Sequence, residues 1–361
     1  MIIGACGFGS TGSSAITDYL CEFDDIQSMD DMEMTFVWVP DGLIDLEYHL
    51  MHPHGQTLDS MFALERYVQL IKNNIRRFGA YGFTTAAVRD STERFVDAIT
   101  DVSWKYYKPG QRFSYRSLSF PLAFWTSRVI PYLERKKGKQ IEVFPLQDVR
   151  LSVCPDQFYE AARKHVKEIL IAGGADFNKR IVLNQPFPGS APQSCFPFFE
   201  DPYAIVSDRD PRDIYVFAQT QLLGINHFMP LKSVSDYITY YRKQRENQPY
   251  LQENDRVLNI RFEDMVYNYD NTTERIRNFL KLPENRRAKT IFDPAQSVAN
   301  TQVFRRFPEY ADDVKRIEDE LTDYLFDFDQ YPKIQNDGKM FFDRTPNRPR
   351  AKRSFWDMLF K

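Results

Sequence analysis

The chain is poor in the features that announce several common protein classes. It carries only four cysteines in 361 residues, Cys6, Cys21, Cys154 and Cys195. Their spacing forms no zinc-ligand pattern and no CxxC pair, so free thiols in a reducing cytosol are expected. There is no basic excess. The formal net charge is -3, so no global field advertises nucleic-acid binding. No run approaches the roughly 20 apolar residues of a membrane span. The first residues, MIIGACGFGSTGSS, lack a basic segment, and their apolar run is too short for a signal peptide. These absences together predict a cytoplasmic protein. No internal repeat is visible.

What is present suits a large core. Hydrophobic residues make up 43 % of the chain, enough for one large α/β domain or two modest ones. Aromatics reach 15 %, with 30 Phe and 20 Tyr. Two readings stay open for them, an aromatic-rich core or rings lining a groove for a sugar or a nucleobase. Met1 to Cys6 reads as a strand, Gly7 to Gly12 as a glycine-rich turn, and Ser13 to Cys21 as a helix. Three more apolar runs end in polar residues: Arg180 to Leu183, Ala204 to Ser207 and Val257 to Ile260. That is the pattern of parallel strands with ligand residues at their carboxyl ends. Residues 43–175 read as mostly helical. Helices are expected over Thr57 to Phe78, over Asp90 to Val102 with DSTE as its capping box, and over Pro155 to Ala172. Others are expected over Pro211 to Leu223, Val234 to Glu246, Asn271 to Leu280 and Ala311 to Phe326.

Three segments carry chemistry. In Gly7-Phe8-Gly9-Ser10-Thr11-Gly12-Ser13-Ser14 the glycines let the backbone curl, and the helix that follows adds its positive end. Gly7 and Gly12 have the spacing of a Walker A loop, but Ser13 stands where its lysine would be. The second segment, Ala204 to Tyr215, is a strand followed by Asp208-Arg209-Asp210-Pro211-Arg212-Asp213, with Pro211 suited to a helix start. A guanidinium there would fork onto phosphate oxygens. The third, Val257 to Leu282, reads as a strand, Arg261-Phe262-Glu263, and a helix ending in Phe-Leu. Arg261 and Glu263 read as paired framework charges.

In their order and spacing these segments resemble the P-loop sulfotransferase superfamily, in the style of its bacterial and carbohydrate members. The resemblance covers roughly residues 1–35 and 180–327. It implies an α/β fold with a P-loop-type parallel sheet flanked by helices and a largely helical insertion at about 43–175. It implies transfer of a sulfuryl group from PAPS (3′-phosphoadenosine 5′-phosphosulfate) to an acceptor hydroxyl, without a metal. Gly9, Ser10, Thr11, Gly12, Ser13 and Ser14 would hold the 5′-phosphosulfate, and Arg209 with Arg212 the 3′-phosphate. Asn300, Thr301 and Arg305 would belong to a late loop closing over the nucleotide. The family's base, a glutamate shortly after the first helix, maps onto Glu33 within Asp30-Asp31-Met32-Glu33, which otherwise reads as an acidic turn.

Two positions depart from the family pattern. Ser10 replaces a loop Lys or Arg, leaving a neutral donor where a charge would stabilise the leaving group. Arg305, Arg306 and Arg89 are candidate substitutes. Phe217 stands where a serine is usual, with Arg212, Ser207 or Thr220 as alternatives. His49, His52 and His54 form a second candidate group for the base; the spacing of His52 and His54 also suits a metal, but no third ligand is evident and a polar loop is the plainer reading. Asn184 and Gln185, at a strand end, are candidates for orienting donor or acceptor. A carbohydrate acceptor is expected, and no nucleic acid. The competing readings are a P-loop kinase and a non-catalytic relative that binds a nucleotide or glycan. Residues 1–330 are expected to form one domain. The tail from 331 to 361 carries eight Lys or Arg against three Asp, and closes on SFWDMLF. It reads as a loosely packed tail or as a peripheral contact with an anionic membrane.

Overall fold

The computed structural model describes residues 1–52, 57–106, 129, 131–138, 147–221, 229–246, 253–284 and 291–334. Its centre is a five-stranded sheet. The strands are β1 (Ile2–Gly7), β2 (Ile26–Glu33), β5 (Arg180–Asn184), β6 (Pro202–Asp208) and β7 (Val257–Arg261). Their order is β2-β5-β1-β6-β7, and every pairing is parallel. A separate antiparallel pair joins β3 (Val102–Tyr106) to β4 (Gln147–Leu151).

Helices cover both faces of the sheet. This is why its strands read as unbroken apolar runs rather than alternating ones. On β1, Ile3 and Ala5 face one core and Ile2 and Cys6 the other. On β6, Ile205 shares the first core while Ala204 and Val206 share the second. The first core is closed by α1 (Ser13–Leu20) and by the helices that follow β7, α8 (Phe262–Tyr267) and α9 (Tyr269–Leu280). The second is closed by α2 (Leu43–Met51), α3 (Thr57–Ala80), α4 (Thr85–Ala98) and α5 (Phe158–Ala172). A third cluster joins α6 (Pro211–Gln221), α7 (Val234–Arg245) and the helix Ala311–Glu320.

The α/β class and the four apolar strands agree with expectation. The helical stretch at 43–175 falls between β2 and β5 and contains the β3–β4 pair, which the sequence reading did not anticipate. Asp30 to Glu33 is not a turn but the end of β2. The DSTE capping box is also corrected. The helix already starts at Thr85, so Ser91 and Thr92 lie buried in its interior. No described helix is long and apolar enough to cross a membrane. His54, residues 222–223 and the tail from 335 onward lie outside the described residues.

Candidate functional site

Because all five strands run the same way, their carboxyl ends share one edge. β1 delivers the loop Gly7 to Ser14, β2 Glu33, β5 Asn184 and Gln185, β6 Asp208 and Arg209, and β7 Arg261 to Glu263. The pairings Gly7 with Ser207, Asp208 with Arg261, and Glu33 with Asn184 fix the register of that edge. An edge of this kind beside the central strand is where open α/β sheets bind ligands.

The loop is tightly curled. Gly9, Ser10 and Gly12 take left-handed φ values of 88°, 57° and 84°. Thr11 locks it from inside: its hydroxyl accepts the Phe8 N–H at 3.2 Å, and its carbonyl accepts the Ser207 hydroxyl at 2.6 Å. Thr11 and Ser207 are both buried. Gly12 then opens α1 without a side-chain cap, and Phe262 fills the space where a Cβ would stand. Among the described residues no protein acceptor takes the N–H groups of Gly9, Ser10, Thr11, Gly12, Ser13 or Ser14. Unpaired amides at a helix start, with the helix dipole behind them, favour an anion.

Arg209 anchors this loop to a later one. Its Nη1 donates to the Ser10 carbonyl at 3.2 Å and its Nη2 to the Asn300 carbonyl at 2.5 Å. The guanidinium lies between the rings of Phe217 and Phe262, with centroids 5.2 and 5.4 Å away. The residue is buried, and its Nε has no partner. Among the described residues, the cation that reaches Ser10 is therefore Arg209. Phe217, where a serine was sought, is a wall for that guanidinium.

Behind Arg209 sits a paired charge network. Asp208 receives Nε and Nη2 of Arg245 at 2.7 and 2.6 Å. Arg245 is itself layered between Phe8 and Tyr241. Asp210 takes two bonds from Arg212, at 2.9 and 2.7 Å, and Arg212 also reaches Glu318 and the Phe326 carbonyl. Glu263 accepts the Asp210 N–H at 2.8 Å. Its burial raises its pKa to about 8, against the pull of Arg261. Burial likewise lifts Asp213 to about 6, with Arg209 opposing.

The expected site residues thus separate into two groups. Gly9 to Ser14, Glu33, Arg209 and Asn300 gather at the sheet edge or on the loops tied to it. Glu33 is exposed at the end of β2. Asn300 presents its carbonyl to Arg209, while its Oδ1 is buried without a partner. The others have their polar atoms engaged elsewhere, except Arg89, which is exposed. Arg212 is held by Asp210 and Glu318, so its guanidinium is engaged within the fold. The buried Thr301 hydroxyl meets Tyr267 and the Val298 carbonyl. Arg305 bonds Gln302 and Asp329, and Arg306 bonds the carbonyls of Ala299 and Thr301. Arg89 is exposed on α4. Ser207 and Thr220 donate to the carbonyls of Thr11 and Val216. His49 pairs with Asp59 at 3.0 Å on a different part of the fold. Sequence reasoning missed the Asp208–Arg245 pair and the Thr11–Ser207 lock. Both join residues far apart in the chain, where spacing carries no signal.

A second polar cluster lies in the helical layer. His165 is buried, bonded to the Ser91 hydroxyl at 2.7 Å and the Tyr67 hydroxyl at 2.8 Å, and stacked on Phe95. Burial lowers its pKa to about 3, so the ring is neutral. Both ring nitrogens are satisfied, which is how a structural histidine behaves.

No family model, curated protein or solved structure matches this chain.

Proposed function

We propose that the chain transfers a sulfuryl group from PAPS to a hydroxyl, with a carbohydrate as the favoured acceptor. The observation that carries this reading is the loop after β1: amides with no acceptor among the described residues, two serines at the helix start, and no lysine. A loop that cleaves a nucleoside triphosphate relies on that lysine and on Mg for its β- and γ-phosphates. This loop offers amide and hydroxyl donors instead. The segment order described above adds the resemblance to PAPS-dependent enzymes.

The residues fit such a donor. The amides of Gly9 to Ser14 would hold its 5′ anion, and the buried Arg209 keeps Nε free of partners. PAPS would supply the activated sulfuryl group. Glu33 would take the proton from the acceptor hydroxyl as the new oxygen–sulfur bond forms and the old one to phosphate breaks. It stands two strands from β1, about 10 Å across the sheet edge at normal strand spacing. Arg209, bonded to the Ser10 carbonyl, brings positive charge to the loop where Ser10 itself has none.

A second reading has its own support. Ser10 is neutral, and Arg209 already gives two bonds to backbone carbonyls. A relative that binds the nucleotide without turnover needs no more than this.

Calorimetric titration with PAP, beside ATP with Mg, tests the donor class. Micromolar affinity for PAP and none for ATP is expected, with PAP binding lost in Arg209→Ala. Silence toward PAP overturns the reading. PAP binding without transfer to any acceptor hydroxyl selects the non-catalytic relative.

A further inference from the structure

Gln185 has an unusual backbone and an informative side chain. It follows the last residue of β5 at a φ of 52°, a left-handed conformation that a glutamine rarely adopts. Its N–H donates to the Ala5 carbonyl at 3.0 Å, and its carbonyl accepts the Trp38 indole N–H at 3.1 Å. Held at both ends, the residue sends its amide across the loop. Oε1 accepts the Gly7 N–H at 3.2 Å, and Nε2 donates to the Ser13 hydroxyl at 3.2 Å.

The direction of this chain of bonds is forced. A backbone N–H only donates, so the oxygen of the amide must face Gly7. The NH₂ must then face Ser13, whose oxygen becomes an acceptor. The Ser13 hydroxyl proton is left pointing elsewhere, and among the described residues no acceptor takes it. Ser13 is the first residue of α1, so this proton lies beside the unpaired loop amides. Strain that persists where the surroundings over-determine it is a pointer to function.

We infer that Gln185 is a positioning residue that holds the Ser13 hydroxyl as a donor toward an anion in the loop. The inference rests on the anion-binding part of the proposed function, not on the identity of the donor nucleotide. It makes the strand after the helical layer part of the binding device. It also distinguishes Ser13 from Ser14, which has no such partner among the described residues.

The test is a double-mutant cycle on the full chain, read by calorimetry with PAP, ATP and pyrophosphate as separate probes. Ser13→Ala loses about 10- to 100-fold in affinity, the worth of a hydrogen bond to a charged group. Gln185→Glu keeps the shape but, when ionised, accepts from Ser13 and turns the hydroxyl round. Its added charge repels any anion in both backgrounds, so that contribution cancels in the cycle. The expected coupling between positions 185 and 13 is about 10-fold. Affinity of Gln185→Glu also recovers as pH falls and the new carboxyl takes up a proton, a response the parent chain does not share. Should Gln185→Glu fail to fold, Gln185→Met is used. Its several-fold loss must shrink when Ser13 is already Ala, leaving only the part due to the lost Gly7 contact. Additive effects within twofold overturn the inference, even if the parent chain binds PAP tightly. Coupling seen with ATP or pyrophosphate, but no binding of PAP, keeps the inference and removes the sulfotransferase reading. Absence of binding for all three probes removes both.

Discussion

Replacing Gly12 by alanine probes the loop more sharply than replacing any of its side chains. The residue sits at φ 84°, where an L side chain is strained by about 1–2 kcal/mol. A Cβ there would also stand 2.9 Å from Cγ and 3.2 Å from Cβ of Phe262, and closer still to the ring edge. Phe262 is buried and packs against Arg209, so it has little room to retreat. Overpacking of this kind costs about 1–3 kcal/mol more. The expected total is about 2–5 kcal/mol. Gly174 provides the control within the same molecule. Its φ is 89°, but nothing lies within 4 Å of the Cβ it lacks. Gly174→Ala should therefore lose only the backbone part, about 1–2 kcal/mol. Guanidinium unfolding followed by tryptophan fluorescence reads both, since the chain has four Trp. A shift of the midpoint at constant slope is a change in stability. Combining Gly12→Ala with Phe262→Leu should cost less than the sum of the two. Equal losses for the two glycines, or strict additivity with Phe262→Leu, would refute the claim that the ring enforces glycine at this helix start.

Three other outcomes follow from the same site. Arg212→Met should lower stability by about 3–5 kcal/mol, the cost of leaving Asp210 buried and unpaired, yet leave PAP affinity within about twofold, by unfolding and calorimetry. Glu33→Gln should keep PAP binding and reduce sulfuryl transfer by about 100- to 10,000-fold in a radiolabelled assay; undiminished transfer would remove Glu33 as base. Glu263 makes the fold sensitive to alkali. Its pKa rises from 4.5 unfolded to about 8 folded, so the folded chain holds the extra proton and stability falls as pH climbs between those values. That span is at most about 5 kcal/mol, and Glu263→Gln should flatten the change in melting temperature between pH 5 and pH 8.5 while keeping the acceptor for the Asp210 N–H.

The parts of the fold that were legible are those where a single physical demand sets the residue types. The strands β1, β5, β6 and β7 are buried on both faces, so they appear as apolar runs, and their polar successors mark the carboxyl edge. β2 breaks that rule. Its sequence IQSMDDME ends in two aspartates and a glutamate, and its register shifts between Ser28 and Glu33. Among its described residues the traces of burial are Ile26, Met29 and Met32, with Met34 just beyond. The pair β3 and β4 was hidden for a different reason. It stands apart from the main sheet, Val102 and Trp104 remain exposed, and Val149 is the one buried residue among those described in the pair, too little to set a pattern. DSTE misled because Ser and Thr cap a helix only at its start, and here the preceding TAAVR is already helical.

The two arginines of the RDPRD segment mark where residue type stops being informative. Arg209 and Arg212 look alike on paper, and either would suit a phosphate. A guanidinium binds a ligand only with hydrogens that the fold has not already engaged. Arg212 gives its hydrogens to Asp210, Glu318 and Phe326, a commitment that depends on residues up to 114 positions away. Burial lowers its pKa, but the attraction of Asp210 and Glu318 outweighs that penalty and raises it. Arg209 gives two of its hydrogens to backbone carbonyls that belong to the loops themselves, and keeps Nε unpaired. An anion settling on the loop would therefore meet a cation whose existing bonds define the loop's shape. Arg209→Lys separates those duties. It keeps the charge but loses the fork that joins Ser10 to Asn300, and so should weaken PAP binding by about tenfold or more. Arg212→Lys, whose bonds lie behind the loop, should leave that affinity unchanged.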